Sequence, residues 1–268
     1  MCRLMEVTRS GFYAWRKRPE SEWARTEKRL TVEVRSIFEA SHRRYGSPRI
    51  HREFRARRQT VGRHRVARLL KLQGLQARKR RRFVTTTASE HALPVATNLL
   101  QRRFEATGPN TVWAGDVTFI STEQGWAYLA VLLDLFSRRV VGWALSDKND
   151  EALTIAALEM AIDQRAPAPG LIHHTDRGTT YAATEYQDIL RRHGMRCSMS
   201  RKGNCWDNAV SESFFSTLKT ECIVDLTLST VDAARREVFD YIATFYNSTR
   251  RHSTIDYRSP MEFERAVG

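Results

Sequence analysis

Apolar positions follow two different periods along the chain. Up to about residue 75 they recur every three or four positions, as on one face of a helix. Residues 1–18 predict two short helical pieces around Val7-Thr8-Arg9. Residues 26–42 predict a helix with Leu30, Val34, Ile37 and Phe38 inward. "YGSPRI" (45–50) is a turn, with Ser47 as N-cap and Pro48 at the first helical position, and a second helix runs on to about residue 58. Residues 60–75 give a third, ending near Gly74, with Val66, Leu69, Leu70 and Leu72 as its stripe. After residue 110 the pattern becomes β-branched and aromatic. Strands are predicted over 111–120, 127–137 and 138–146, then a helix over 151–165, a strand over 171–176, a helix over 183–193 and a strand over 195–200. Helices over 208–222 and 231–248 follow. Three strands, then strands alternating with helices, predict a mixed α/β sheet of five strands with flanking helices.

Charge divides the chain at nearly the same place. The whole carries +14, but residues 1–104 hold 27 Lys+Arg against 8 Asp+Glu, and the remainder is mildly acidic. A strongly basic helical front points to a polyanion partner, nucleic acid foremost. Short helices with a basic last helix are those of a helix-turn-helix, or of an ordinary basic helical bundle. Candidate phosphate contacts there are Arg63, Arg65 and Arg68, with the run Arg78, Lys79, Arg80, Arg81 and Arg82 opening a polar linker. The expected organisation is a DNA-binding region over 1–76, a linker over 77–104 and a second domain over 105–268. The four cysteines form no C-x-x-C pair, which argues against a disulfide framework or a zinc site. No apolar run is long enough to span a membrane and the N-terminus has no signal core, so a cytoplasmic protein is expected.

Three carboxylates stand where the predicted sheet would gather them: Asp116 within the first strand, Asp176 at the end of the fourth, and Glu212 on the helix after the fifth. On that helix Val210, Phe214, Phe215 and Leu218 share one side; Asn208, Glu212, Ser216 and Lys219 share the other. An aspartate inside an apolar strand is costly unless compensated, and converging acids repel, so a divalent cation is the natural counter-charge. An all-oxygen donor set favours Mg²⁺ or Mn²⁺, and two such ions suit phosphodiester chemistry.

With these features the chain resembles the D-D-E transposases of the retroviral-integrase superfamily, and among them the second-reading-frame proteins of the insertion-sequence-three family. The matching stretches are "YGSPRIHREF", "NTVWAGDVTFI", "LIHHTDRGTTY", "SMSRKGNCWDNAVSESFFSTLKTE" and "FYNSTRRHSTIDYRSPMEF", and they span nearly the whole chain. Thirty-five residues between the second and third acids, and a lysine seven after the third, are diagnostic of that family. The second-acid motif departs slightly, with Thr175 and Thr180 where relatives often carry serine and glutamine. The resemblance implies an RNase H-like catalytic domain in which Asp116, Asp176 and Glu212 hold two metal ions. It implies cleavage and joining of double-stranded DNA at the ends of a bacterial insertion sequence, by an enzyme working as a homo-oligomer near the nucleoid. An upstream-frame protein supplying a DNA-binding helix-turn-helix and a coiled coil is the implied fusion or partner. Lys219, and Arg201 and Lys202 in the loop before Glu212, are the candidate DNA contacts beside the acids. Two rivals are a nuclease of the same fold that cuts without joining, and an inactive DNA-binding repressor.

Overall fold

In the computed structural model the described residues are 5–78, 96–102, 104–201, 205–224 and 226–267. The chain forms two compact units, Met1–Arg78 and Lys79–Gly268. Residues 79–82 and 202, expected to contact DNA, lie outside the described residues.

The first unit is helical: α1 (Arg9–Lys17), α2 (Glu22–Ala40), α3 (Ser47–Ala56) and α4 (Arg63–Leu72). Its core is formed by Leu30, Val34, Ile37 and Phe38 of α2, Ile50 and Phe54 of α3, and Val66, Leu69 and Leu70 of α4. Leu72, expected on that stripe, is 70% exposed. Among the described residues the N-terminal segment holds one helix; the piece expected before Val7 falls largely on residues 1–4, outside the described residues. Thr8 caps α1, its side chain accepting from the Gly11 N–H, and that capping sets a single start. Helix α1 buries no residue. At α3 the cap is Gly46, and Ser47 is the first helical residue. Gly74 takes φ +64 just beyond α4, the left-handed conformation that ends a helix.

The second unit is built on a five-stranded sheet of order β3-β2-β1-β4-β5. Strands β1 (Val112–Thr122), β2 (Gly125–Asp134) and β3 (Val140–Ser146) are antiparallel neighbours; β4 (Ile172–Thr175) and β5 (Arg196–Met199) run parallel to β1. Helix α5 (Glu151–Arg165) packs on β3 and β2. Its approach is so close that a Cβ on Gly142 would stand 2.2 Å from the Ala157 carbonyl oxygen, so β3 needs glycine there. Helices α6 (Thr179–Ala182) and α7 (Thr184–Arg192) complete that side, and Trp113, Leu158, Tyr186 and Ile189 pack together in its core.

A short 3₁₀ turn (Cys205–Asn208) leads into α8 (Ala209–Leu218), which packs on β1, and α9 (Val231–Asp240) lies across β1, β2 and β3. Both of these helices were expected to run straight. Instead each loosens into a π-helical turn, Lys219–Ile223 after α8 and Tyr241–Tyr246 after α9. A threonine sits in both: Thr220 Oγ1 donates to the Ser216 carbonyl at 2.7 Å, Thr244 Oγ1 to that of Asp240 at 2.6 Å. Such back-bonds draw a carbonyl off the helix ladder and favour a local bulge. Helix α10 (Pro260–Arg265), not anticipated, closes the unit with a capping box between Ser259 and Glu262.

Candidate active site

The register of the parallel pair explains the spacing of the first two acids. Val112, Trp113 and Ala114 stand opposite Ile172, His173 and His174. Two positions further along this register, residue 176 is level with residue 116. Period-two alternation then decides which face Asp116 occupies. Trp113 and Val117 pack with α5 and α7, whereas Val112 and Ala114 pack against Val210 of α8. Asp116 shares the second face, the one α8 covers, and Glu212 is carried by that helix. Gly115 keeps β1 and β4 in register, because a Cβ there would meet the His173 and Thr175 side chains at 3.2 Å.

Local donors orient the two aspartates. Asp116 Oδ1 accepts from the Val117 N–H at 2.8 Å, and Asp176 Oδ1 from the Gly178 N–H at 2.8 Å. Burial pushes the Asp116 carboxyl well above the usual carboxylate range, and the charges of Asp176 and Glu212 add to it; hydrogen bonds from Val117 and Asn208 oppose the rise. Glu212 is also pushed up, by burial.

An integrase core domain family matches residues 106–205, a second integrase core domain family matches 212–267, and an HTH-like domain family matches 25–83. The chain is 44% identical over 266 residues to the transposase InsF for insertion sequence IS3A of Escherichia coli (strain K12), covering 98% of this chain and 92% of that protein. It is 41% identical to the insertion element IS600 uncharacterized 31 kDa protein of Shigella sonnei, covering 98% and 97%. The chain belongs to the insertion-sequence-three family of transposases. A simian T-cell lymphotropic virus intasome, solved in complex with PP2A regulatory subunit B56 gamma, is similar in fold alone, with TM-score 0.50 at 16% identity over 86% of this chain and 74% of that one.

The transposase's three acids are drawn to one place. Among the described residues, however, no three Asp, Glu, His or Cys side chains form a ready cage for a metal ion. Two observations fit a cationic guest. Burial raises the proton affinity of Asp116, and the nearby charges of Asp176 and, more weakly, Glu212 raise it further. In addition, among the described residues the buried Tyr181 hydroxyl, close enough to feel Asp116 and Asp176, has no hydrogen-bond partner, and neither has the buried Asn208 Oδ1. Unsatisfied buried polar atoms next to clustered acids suit a hydrated hard cation.

The predicted DNA contacts are variously placed. Lys219 opens the π turn after α8, and its Nζ lies 4.6 Å from the Phe119 ring centroid. Burial lowers its pKa, and the charge of Asp116 opposes that shift. Arg201 makes a two-pronged ion pair with Asp207, Nε to Oδ2 at 3.0 Å and Nη2 to Oδ1 at 2.9 Å. In the first unit Arg63 is exposed, while Arg65 and Arg68 both pair with Glu27 and so tie α4 to α2. Arg78 is part-buried, its backbone N–H reaching the Arg43 carbonyl at 3.4 Å.

Two functional neighbours escaped the sequence reading. Asn208, the last residue before α8, donates to Asp116. Asp207 beside it is fully buried, and Arg201 holds its carboxyl far below the usual range. The start of the predicted helix set Asn208 on the side of Glu212, but nothing in the spacing says that it donates to Asp116 or that Asp207 turns inward. The histidine pair before Asp176 is structural. His173 is buried against Tyr186, Nε2 to the hydroxyl at 2.7 Å, and burial, with His174 adding to it, pushes its pKa down to about 3.

No helix among the described residues is long and apolar enough to cross a membrane.

Proposed function

We propose that the transposase cuts and joins DNA at the ends of its element with divalent cations, Mg²⁺ or Mn²⁺, held by Asp116, Asp176 and Glu212. The observation that carries this reading is the pairing of β1 with β4, which sets residue 116 level with residue 176 on the sheet face that α8 covers; there burial, and then the charges of the other two acids, raise the Asp116 carboxyl. A buried carboxylate whose ionisation is opposed by two neighbouring acids suits a site that takes up a positive charge. A pair of such ions, when bound, supplies an activated oxygen nucleophile and stabilises the leaving oxygen. The protein's own groups orient the acids: the Val117 and Gly178 N–H groups each fix one carboxylate oxygen, and the Asn208 amide steadies Asp116.

Lys219, Arg201, Lys202 and the 78–82 run belong to this reading as contacts to the phosphate backbone, as do Arg63, Arg65 and Arg68 of the helical unit. Lys219 is half-buried next to Asp116, which suits a contact near the reacting phosphate. A homo-oligomer, an upstream-frame partner and a nucleoid location complete it.

The test is a labelled duplex carrying the element end, incubated with Mg²⁺. Nicked end and joined product are expected from the wild type, and neither from Asp116→Asn, Asp176→Asn or Glu212→Gln, with all four proteins binding the duplex. Nicking without joining would favour the nuclease. Metal-independent binding with no nicking would favour the repressor.

A further inference from the structure

Asp207 is the most heavily satisfied carboxylate near the acids, and the reading above gives it no task. Its side chain has 0% exposure. It accepts from Asn98 Nδ2 at 2.9 Å, Arg102 Nε at 3.2 Å, and the backbone N–H, Nε and Nη2 of Arg201 at 2.9–3.0 Å. Two of these donors, Asn98 and Arg102, come from the stretch that leads into the sheet, more than a hundred residues away in sequence.

The same stretch is tied a second time. The Leu99 N–H donates to Ser198 Oγ on β5 at 2.9 Å, and that hydroxyl is 2.8 Å from His174 Nδ1 on β4. His174 Nε2 stands 3.0 Å from the Asp207 carbonyl oxygen. A carbonyl can only accept, so Nε2 carries the proton and Nδ1 accepts from Ser198. The result is a closed circuit of segment 98–102, β5, β4 and Asp207. Asp207 is gripped by its side chain from one direction and by its backbone from another. The next residue is Asn208, whose amide donates to Asp116, and α8, which carries Glu212, begins one residue later.

We propose that Asp207 is a positioning residue for the acid site. It fixes the chain at the start of α8, so that the Asn208 amide meets Asp116 and Glu212 faces the same place. The stretch Asn98–Arg102 is the anchor it uses, so the approach to the sheet is a working part of the site. The consequence for catalysis rests on the function proposed above; the positioning itself does not.

Two measurements separate these. The first is the side-chain amide signal of Asn208 in a ¹⁵N-labelled protein, assigned by its loss in Asn208→Ala. It needs neither DNA nor metal. Asp207→Asn is expected to move this signal to the position of an exposed amide, and Arg102→Gln to move it part of the way. An unmoved signal in a folded Asp207→Asn variant overturns the proposal. Should that variant fail to fold, an unmoved signal in both Arg102→Gln and Asn98→Ala does so. The second is nicking of the element end in Mg²⁺. Asp207→Asn is expected to lose about 10- to 100-fold, as when the support of a metal ligand is removed. The double variant Asp207→Asn/Asn208→Ala should lose less than the product of the two single losses, because Asp207 acts in part through its neighbour. Multiplying losses overturn that route. Variants that move the amide signal as expected, in a protein whose wild type never nicks, refute the proposed reaction and leave the positioning role standing.

Discussion

Asp116 and Glu221 both lie inside the sheet-bearing unit, and their surroundings are opposite. Glu221 sits in the π turn after α8 and is matched to Arg250, Nε to Oε2 at 2.7 Å and Nη2 to Oε1 at 2.7 Å, with the Tyr241 hydroxyl donating at 2.9 Å. Glu264 of α10 is shared by Arg139 and Arg165 and accepts from Ser137. Asp207 has Arg201 and Arg102. At each of these positions buried negative charge meets a guanidinium whose planar fork fits it. Asp116 instead meets two more carboxylates. Lys219 comes near enough to feel its charge, but its Nζ lies over the Phe119 ring. The paired acids hold the two π turns, the last helix and the start of α8 in place. Asp116 is left with its ionisation opposed by its neighbours, which the proposed cation would relieve. Glu221, Glu264 and Asp207 each meet an arginine, Asp134 is held by the backbone N–H groups of Asn110, Phe136 and Ser137, and Asp116 is the buried acid that feels two further acids.

That contrast can be broken most severely at the crowded acids. Asp116→Asn is expected to lower nicking of the element end by on the order of a thousandfold, several kcal/mol of transition-state stabilisation. Yet in metal-free buffer it should melt higher than the wild type, because it removes a charge the fold disfavours. A paired acid cannot give that combination. The pH dependence follows the same sign. The Asp116 carboxyl is raised in the folded protein above its unfolded value of about 3.9, so the protonated form is favoured by folding. Metal-free stability should therefore fall as pH rises above about 4 and level off past the raised folded value. Melting curves across pH should show a smaller fall in Asp116→Asn, and Mg²⁺ should restore wild-type stability at neutral pH.

Arg250→Met tests the opposite class. It leaves Glu221 buried without its partner, and urea unfolding should register a loss of about 3–5 kcal/mol. Glu264→Gln keeps one acceptor oxygen for Arg139 and Arg165, and a smaller loss of about 1–3 kcal/mol is expected from the same assay. Lys219→Ala should change least in stability, by about 0.5–1 kcal/mol for its partly buried contact with Phe119. Its effect should appear in joining of the element end, restored in part by Lys219→Arg. If joining is unchanged and stability alone moves, Lys219 serves the fold.

Much of this could be read from residue order. Helix α5 was read over residues 151–165, and its limits in the structure are the same. The strands were found because β-branched runs tolerate little else, and the basic excess before residue 105 marked the helical front. Asp116 stood out because an aspartate in an apolar strand is conspicuous by itself, and Asp176 and Glu212 were singled out by their places at the end of the fourth strand and after the fifth. The two π turns were not foreseen, because Thr220 and Thr244 look like ordinary helical residues until their hydroxyls and the Glu221–Arg250 pair are seen together. The short helices α6 and α10 have too few residues to show a period.

What the sequence determined by itself is what nearest neighbours in the chain decide: helical or extended period, the sign of local charge, and the cost of a carboxylate at position 116. Which acid receives an arginine is a different kind of fact. Asp207 draws Arg102 from 105 residues away, Glu264 draws Arg139 from 125, and Glu221 draws Arg250 from 29. Coulomb attraction and desolvation depend on distance in space, and spatial neighbours are chosen only when the sheet closes and the helices pack onto it. The tertiary structure therefore decided which carboxylates were neutralised as part of the fold and which were left facing one another.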